Sequence, residues 1–293
     1  MVVEGWATGR EPMGLREPDS TVRLELLGEE LRAHRERAGL SLAAVTAQVG
    51  ISTSKLSRME NGRRPQRLED VAALLAAYRV PHNRREELVA LARVAAEPPV
   101  RPEQVSGRFA TLRVLEGKAA MLVDVAPTVV PALLQTVPYT QSVLREVYML
   151  DDQRVEEYTA SRIHRQAVLR KDKPPRFFAI VTESALRTVV GGAEVMRGQL
   201  RYLLEAGAKG NVSVRVVPAL EHGHPALAGP FQRLQFDRGR AVVLLESRTA
   251  AVYLEDPAEV KHYDRAVVEL LSAALDERES AALIEKVAGA LSG

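Results

Sequence analysis

The sequence predicts two domains: an all-helical domain of five short helices, then an α+β domain with a small, mainly antiparallel sheet. In the first part of the chain, apolar residues recur at helical spacing and glycine or proline ends each run. Beyond the proline-rich stretch "PPVRP", helical patterns alternate with short β-branched runs. We therefore assign a flexible arm to 1–20, the helical domain to 21–97, a linker to 98–106 and the α+β domain to 107–293.

Start and stop signals divide the first domain into its helices. Gly39 is placed to end the first helix, and Ser41 and Ser52 are placed to cap the second and third. Gly50 and Gly62 end those two helices. The segments "LEDVAALLAAYRV" and "NRREELVALARVAAE" supply the fourth and fifth.

Six short runs in the second domain are strand candidates. They are "AMLVDVA", "RFFAIVT", "VSVRVVP", "FQRLQF", "AVVLLE" and "AAVYLE". The last three follow one another with short turns, which is typical of an antiparallel meander. Helical patterns at about 107–120, 138–149, 151–170, 183–208 and 257–291 surround them. The glycines of "VVGGAEVM" are expected to join two helices.

The composition excludes several classes of protein. Hydrophobic residues make up 46% of the 293 residues, which is typical of a globular chain. There is no cysteine, so disulfides and thiolate metal sites are excluded. No apolar stretch reaches the roughly 18 residues that a membrane span requires. The N-terminal residues also lack the apolar segment of a signal peptide. We therefore expect a cytoplasmic protein that does not contact a membrane.

The net charge of +2 conceals an uneven distribution. Residues 20–96 carry 13 Lys and Arg against 9 Asp and Glu, whereas residues 97–293 carry 25 of each. The stretch "TSKLSRMENGRRP" lies at the centre of the basic segment. A charge run usually marks a solvated surface, but localised positive charge is also the electrostatic signature of nucleic-acid binding.

The segment 42–61 has the length and punctuation of a helix-turn-helix. In its second helix, Ile51, Leu56 and Met59 can point inward against Val45 and Val49. The polar residues Thr53, Ser54, Lys55, Ser57 and Arg58 are then left facing outward at the N-terminal end, where recognition helices present the side chains that contact bases.

The stretch "LGEELRAHRERAGLSLAAVTAQVGISTSKLSRMENGRRP" resembles the XRE family, the helix-turn-helix domains of lambda-type phage repressors. The likeness extends over residues 24–96 and implies a lambda-repressor-like fold that binds double-stranded DNA. It implies base contacts from Thr53, Ser54 and Arg58. Contacts to the DNA backbone are predicted for Lys55, Ser57, Asn61, Arg63, Arg64 and Arg67. Two residues depart from the family pattern: Leu42 removes one expected phosphate contact, and the Thr46 hydroxyl requires a local partner.

The second domain resembles the uncharacterised domain of WhiJ-like actinobacterial XRE regulators. The likeness rests on segments such as "VPALLQTVPYTQSV", "RIHRQAVL" and "GPFQRLQF", although Ala132 replaces the glycine usual in the first. It covers residues 105–290. The resemblance implies transcriptional control and a small partner protein, but no particular ligand.

No catalytic signature is present in the second domain, so we expect no enzyme activity and no cofactor. The segment "EHGHP" offers His222 and His224 as metal ligands, but a polar loop explains it better and we predict no metal site. The basic run "RIHRQAVLRKDK" is interpreted as a solvated helix end, with contact to DNA or to an acidic partner as the alternative. Polar residues among apolar neighbours are the candidates for a ligand pocket: Gln135, Tyr139, Arg162, His222 and His224.

These observations predict a sequence-specific DNA-binding transcription regulator. Its second domain is expected to sense a small-molecule effector or a partner protein. We also expect a homodimer, because paired helix-turn-helix units read two half-sites. Two alternatives stay open: an antitoxin-like protein-interaction adaptor, and an enzyme with an appended DNA-binding domain.

Overall fold

The computed structural model describes residues 22–63, 66–95, 105–219, 223–248 and 251–291. Five helices form the first domain, as predicted: α1 (Val22–Arg37), α2 (Leu42–Val49), α3 (Thr53–Glu60), α4 (Leu68–Ala77) and α5 (His82–Ala95). The arm assigned to residues 1–20 lies outside the described residues, and so does most of the linker assigned to 98–106. Residues 105 and 106 already belong to the next helix.

The predicted caps fix the turn between α2 and α3. The Ser41 hydroxyl accepts a hydrogen bond of 3.1 Å from the Ala44 amide, and the Ser52 hydroxyl accepts one of 3.2 Å from the Lys55 amide. Between them, Gly50 ends α2 with a φ of 75°, which is a conformation that favours glycine. These contacts confirm the capping residues expected from the sequence.

Helix α3 lies close against α1 at a glycine. A Cβ atom added to Gly28 would lie 2.7 Å from the Met59 carbonyl oxygen and 2.8 Å from that of Glu60. Two turns further along α1, Arg35 donates two hydrogen bonds, of 2.6 and 2.9 Å, to the buried carboxylate of Glu60. The packing of α3 against α1 thus combines a small residue with a bidentate ion pair.

The second domain contains six strands and seven helices within the described residues. The strands are β1 (Met121–Ala126), β2 (Arg176–Thr182), β3 (Val212–Val217), β4 (Phe231–Gln235), β5 (Ala241–Glu246) and β6 (Ala251–Leu254). The helices are α6 (Val105–Lys118), α7 (Val137–Ser142), α8 (Asp152–Gln166), α9 (Glu183–Arg187), α10 (Gly192–Gly207), α11 (Pro257–Ala273) and α12 (Glu277–Ala290). All six strand predictions are therefore confirmed in position.

The strands form one mixed sheet in the order β3-β2-β1-β4-β5-β6. Strands β1, β2 and β3 pair in parallel, whereas β4 to β6 form the predicted antiparallel meander and join β1. The prediction of a small, mainly antiparallel sheet is therefore confirmed in part, because three of the five pairings are antiparallel and two are parallel. Helices separate β1, β2 and β3 along the chain, and such crossover connections favour parallel pairing.

Several helices are shorter than the sequence pattern indicates. The helix expected over 183–208 is interrupted before α10 by Gly191 and Gly192, with φ values of 74° and 82°. The expected joining role of these glycines is therefore confirmed. The helix expected over 257–291 breaks between α11 and α12, and the one expected over 138–149 continues from α7 as a π-helical turn, Val143–Val147.

Apolar residues of the sheet pack on both faces. One face contacts α6, α7, α10 and α12, and the other contacts α11. Two side chains each pack into the apolar core of the other domain. Val114 of α6 belongs to the core of the first domain, while Leu26 of α1 packs with the core of the second. The two domains therefore share an apolar interface.

We predict that Gly28→Ala lowers the free energy of unfolding by about 1–3 kcal/mol, because the added methyl group would meet backbone atoms of α3. Gly198 is the matched control. It lies in α10 with no atom within 4 Å of its added Cβ, so Gly198→Ala should stabilise by about 0.5–1 kcal/mol. Urea denaturation followed by circular dichroism measures both. Equal stability of Gly28→Ala and wild type would refute the close packing.

Candidate nucleic-acid interface and ligand cavity

The exposed face of α3 is polar. Thr53, Ser54 and Arg58 are exposed, while Leu56 and Met59 on the opposite face are buried in the first core. Short hydroxyl side chains permit close approach of a helix to a groove, and an arginine can donate two hydrogen bonds to guanine. The structure therefore exposes Thr53 and Ser54 in the first turn of α3 and Arg58 in its last turn.

The residues predicted to contact the DNA backbone differ in their surroundings. Arg63 and Arg67 are exposed, and Arg64 lies outside the described residues. The Lys55 ammonium is 2.6 Å from a carboxylate oxygen of Asp70. Asn61 accepts a hydrogen bond of 2.6 Å from Arg32.

Two further contacts within the first domain hold polar groups near α3. The Asn61 side-chain amide donates to the Ser57 carbonyl oxygen at 2.7 Å, so both ends of this amide have partners. The Thr46 hydroxyl donates to the Ala43 carbonyl oxygen at 3.0 Å. This bond supplies the local partner that Thr46 was expected to require.

A cavity of about 110 Å³ opens in the second domain beside the sheet. Its walls come from β1, β4 and β5, from the loop 127–132, and from α8. The apolar part of the wall includes Val129, Val143 and Leu244. The polar part includes the side chains of Asp124, Gln135, Arg162, Arg165, Gln232 and Glu246.

Asp124 is the unusual group in this wall. Burial, followed by the negative charge of Glu246, raises the pKa of the Asp124 carboxyl to about 7. No hydrogen bond to this carboxyl comes from any described residue. A carboxyl in such surroundings is a candidate for binding a ligand or a proton.

Behind the cavity, Arg165 is bound by a buried carboxylate. It donates two hydrogen bonds, of 2.7 and 3.0 Å, to Glu116 of α6, and both side chains are almost fully buried. Gln232 donates a longer bond of 3.3 Å to the same carboxylate. The charge of Arg165 is therefore balanced by the protein itself.

Arg162 is held at the cavity by α7 and its flanking turns. It donates to the side-chain oxygen of Gln135 at 2.9 Å, and its guanidinium lies 5.5 Å from the centre of the Tyr148 ring. Gln135 in turn donates to the Val130 carbonyl oxygen at 2.7 Å. The network fixes both side chains, because each is buried and hydrogen-bonded.

Comparison with known protein families divides the chain in the same place. The model described as "Domain of unknown function (DUF5753)" matches residues 109–286, which is more than half of the chain. The chain belongs to the DUF5753 family. A second model, described as "Helix-turn-helix domain", matches residues 26–88. This match indicates DNA binding and, with it, transcription regulation. Neither a curated protein nor a solved structure gives a match to the chain.

Two of the five residues predicted for a pocket line the cavity of the DUF5753 domain, namely Gln135 and Arg162. Tyr139 is fully buried behind it, and its hydroxyl accepts a hydrogen bond of 3.3 Å from the Val130 amide. His224 precedes the 3₁₀ turn Pro225–Ala228 and does not line the cavity. His222 lies outside the described residues.

Asp124, Arg165 and Glu116 were not predicted as residues of a site. A signal for Asp124 was present, because "AMLVDVA" places one acid in an otherwise apolar strand of the DUF5753 domain. The interpretation of "RIHRQAVLRKDK" as a solvated helix end is wrong for its first part, where Arg162 and Arg165 are both buried. No local pattern reveals that pairing, since Glu116 is 49 residues from Arg165.

Within the described ranges, no three His, Cys, Asp or Glu side chains lie close enough together to hold a metal ion. None of the helices in that part of the chain is long and apolar enough to cross a membrane.

We predict a pH dependence of stability that comes from Asp124. Between about pH 4 and pH 7 the folded protein keeps a proton on this carboxyl that the unfolded chain releases. The free energy of unfolding contributed by Asp124 therefore falls as the pH rises through this window. The Asn side chain of Asp124→Asn does not titrate in this range. The free energy of unfolding of wild type should therefore fall relative to that of the variant between pH 5 and pH 8. Thermal denaturation at both pH values tests this, and parallel changes in Tm would contradict it.

Proposed function

We propose that the chain is a sequence-specific transcription regulator that binds double-stranded DNA through α3. The observation that carries this proposal is the exposure of polar side chains along α3, with Thr53 and Ser54 in its first turn and Arg58 in its last. The cap at Ser52 and the ion pair between Arg35 and Glu60 hold this helix in place. A recognition helix requires such support, because direct readout depends on accurate placement of its side chains.

We further propose that the DUF5753 domain acts as a sensor, in accord with its resemblance to the WhiJ-like regulators. Helix α6 supports this role because it contacts both the cavity wall and the first domain. Its Glu116 binds Arg165 at the cavity, and its Lys118 lies 2.5 Å from Glu30 of α1. An effector acts on DNA binding only if it favours one arrangement of these contacts over another.

Glu30 of α1 is the residue of the first domain that Lys118 of α6 contacts. Burial opposes its ionisation, but the hydrogen bonds and charges of Lys118 and then Arg84 lower the pKa of Glu30. Arg84 of α5 lies 2.7 Å from the same carboxylate. A second bridge joins Arg113 of α6 to Glu87 of α5 at 3.0 Å. A shift of α6 would therefore disturb ion pairs to two helices of the DNA-binding domain.

The proposal includes a homodimer and no catalytic step. Dimeric helix-turn-helix proteins bind half-sites about one helical turn apart. The apolar residues of α11 are largely used within the chain, since Val260, Val267 and Leu270 pack on the sheet. The dimer surface thus requires other residues. Light scattering of the full chain at micromolar concentration measures the oligomeric state. A chain that is monomeric in solution and binds a palindromic duplex as one copy would disprove the dimer.

We predict that Arg58→Ala relaxes selectivity at one base position by about 1–3 kcal/mol, because a bidentate contact to a base is lost. Duplexes selected from a random pool by the wild-type full chain provide the operator. Arg201→Ala, an exposed substitution in α10 of the other domain, is the control and should leave binding unchanged. If Arg58→Ala retains full affinity and selectivity, α3 does not read the groove through this residue.

Arg63→Ala should act differently, through a lost phosphate contact. We expect equal weakening on the selected operator and on random duplex, and a salt slope that flattens by about one unit. Fluorescence anisotropy over a range of salt concentrations gives the slope. A loss restricted to the operator, with an unchanged slope, would assign Arg63 to base contact instead.

The sensing role is tested by release of the operator in the presence of a protein-free cell extract. We predict that Lys118→Gln changes this response by about 0.5–2 kcal/mol of coupling while leaving the affinity for DNA alone within about twofold. Lys261→Gln, exposed on α11, is the matched control. A wild-type response from Lys118→Gln would exclude α6 as the connection between the cavity and the DNA-binding domain.

The same release experiment distinguishes the alternative functions. Release of the operator by a protein fraction only would favour the adaptor alternative, and turnover of a bound compound would favour an enzyme.

A further inference from the structure

We propose that the cavity binds a small organic cation, with a protonated amine placed against the carboxylate of Asp124 and with Glu246 at the cavity mouth. This inference rests on the proposed sensing function, because it names the chemical class of the effector. It stands on four features of the cavity: the placement of Asp124 in the sheet, the lack of an ion pair to its carboxyl from any described residue, the hydrogen bonds that already hold both arginines, and the volume available.

The sheet register places two polar side chains on an otherwise apolar face of the sheet. Asp124 of β1 lies opposite Gln232 of β4, and Gln232 lies opposite Leu244 of β5. All three residues line the cavity. On the same face, the neighbouring positions Leu122 and Leu234 are fully buried in the apolar core. A carboxyl at such a position costs stability unless a partner compensates for its burial.

The carboxyl of Asp124 lines the cavity without an ion pair from any described residue. Arg162 and Arg165 lie in the same wall, and Arg165 is paired with Glu116. Buried charges are tolerated mainly when they are paired, so the carboxylate and the cation would stabilise each other.

An anion fits this cavity less well. Arg165 already holds Glu116 with two hydrogen bonds, and Arg162 is bound to Gln135 and stacked on Tyr148. At Arg165 an anionic ligand would therefore compete with Glu116, and in the cavity wall it would face the carboxyls of Asp124 and Glu246. Asp124, in contrast, has no hydrogen-bonding partner among the described residues for its carboxyl.

The volume limits the size of the cation. A cavity of roughly 150 Å³ accepts a benzene ring, so one of about 110 Å³ encloses a smaller group. Val129, Val143 and Leu244 offer apolar contacts to the body of the ligand. A short aliphatic amine fits inside, and an aryl methylamine fits if its ring extends into the open mouth.

Protonation of Asp124 makes the binding depend on pH. The charged groups that face it are Glu246 of β5, Glu116 of α6, and Arg162 and Arg165 of α8. Burial and the two glutamates raise the pKa of Asp124 to about 7, against the opposing charge of Arg165. An amine that requires the ionised carboxylate should therefore bind about tenfold more weakly at pH 6 than at pH 8.

Matched probes test the class of ligand on the full chain. The amines are isobutylamine and benzylamine, and their neutral counterparts are isobutanol and benzyl alcohol. Binding is measured by ligand-observed NMR at pH 6 and pH 8. We expect each amine to bind at least about tenfold more tightly than its alcohol at pH 8, because a charge-assisted hydrogen bond replaces a neutral one. Equal or tighter binding of the alcohols, or no binding of either amine, would overturn the proposal.

Asp124→Asn separates charge from shape. It should lower amine affinity at least about tenfold at pH 8, abolish the pH dependence and leave alcohol binding unchanged. Glu246→Gln should weaken the amines less, because Glu246 is exposed. Unchanged amine affinity in Asp124→Asn would overturn the assignment even if the amines bind elsewhere on the protein.

The same samples distinguish this inference from the proposed sensing function. If the amines bind in an Asp124-dependent manner but do not alter operator affinity, the ligand class holds and the sensing role fails. If the extract releases the operator while an Asp124→Asn variant responds as wild type does, sensing holds and the assignment of a cation at Asp124 is overturned.

Discussion

The buried pair between Glu116 and Arg165 is the interaction on which the arrangement of the second domain depends. Removing two charges from water costs several kcal/mol, and only close, doubly hydrogen-bonded geometry offsets that cost. Here the bonds are 2.7 and 3.0 Å long and both side chains are almost fully buried. The pair fixes α6 against α8. Loss of one partner would leave an uncompensated charge in the core and cost about 3–5 kcal/mol.

The position of α6 in turn determines how the two domains meet. Leu112 and Leu115 pack into the core of the second domain, and Val114 between them packs into that of the first. At its C-terminal end, Lys118 contacts Glu30 of α1. The same short helix thus carries a charge at the back of the cavity and a charge at the DNA-binding domain. Coupling between sites requires a physical element that both sites can bias, and α6 has contacts to each.

Local signals in the sequence predicted the elements well but not the distant pairings. Ser41, Ser52 and Gly50 act within a few residues, so the caps and the turn before α3 were predictable. The parallel order of β1, β2 and β3 was not recognised, because the short turns of the meander are a stronger local pattern than the long crossovers. Arg165 was assigned to solvent since its neighbours are basic, and its partner lies on another helix. Gln135 and Arg162 were found because each is polar among apolar residues.

The two candidate sites use opposite electrostatics, which keeps their ligands separate. The surface around α3 exposes Arg58, Arg63 and Arg67 and attracts the negative charge of DNA. The cavity instead places the carboxyls of Asp124 and Glu246 beside a small volume. Under the two proposals, DNA is the ligand of the basic surface and an organic cation is the ligand of the cavity. A cationic effector would therefore alter DNA binding through the contacts of α6 and not by competition at the recognition helix.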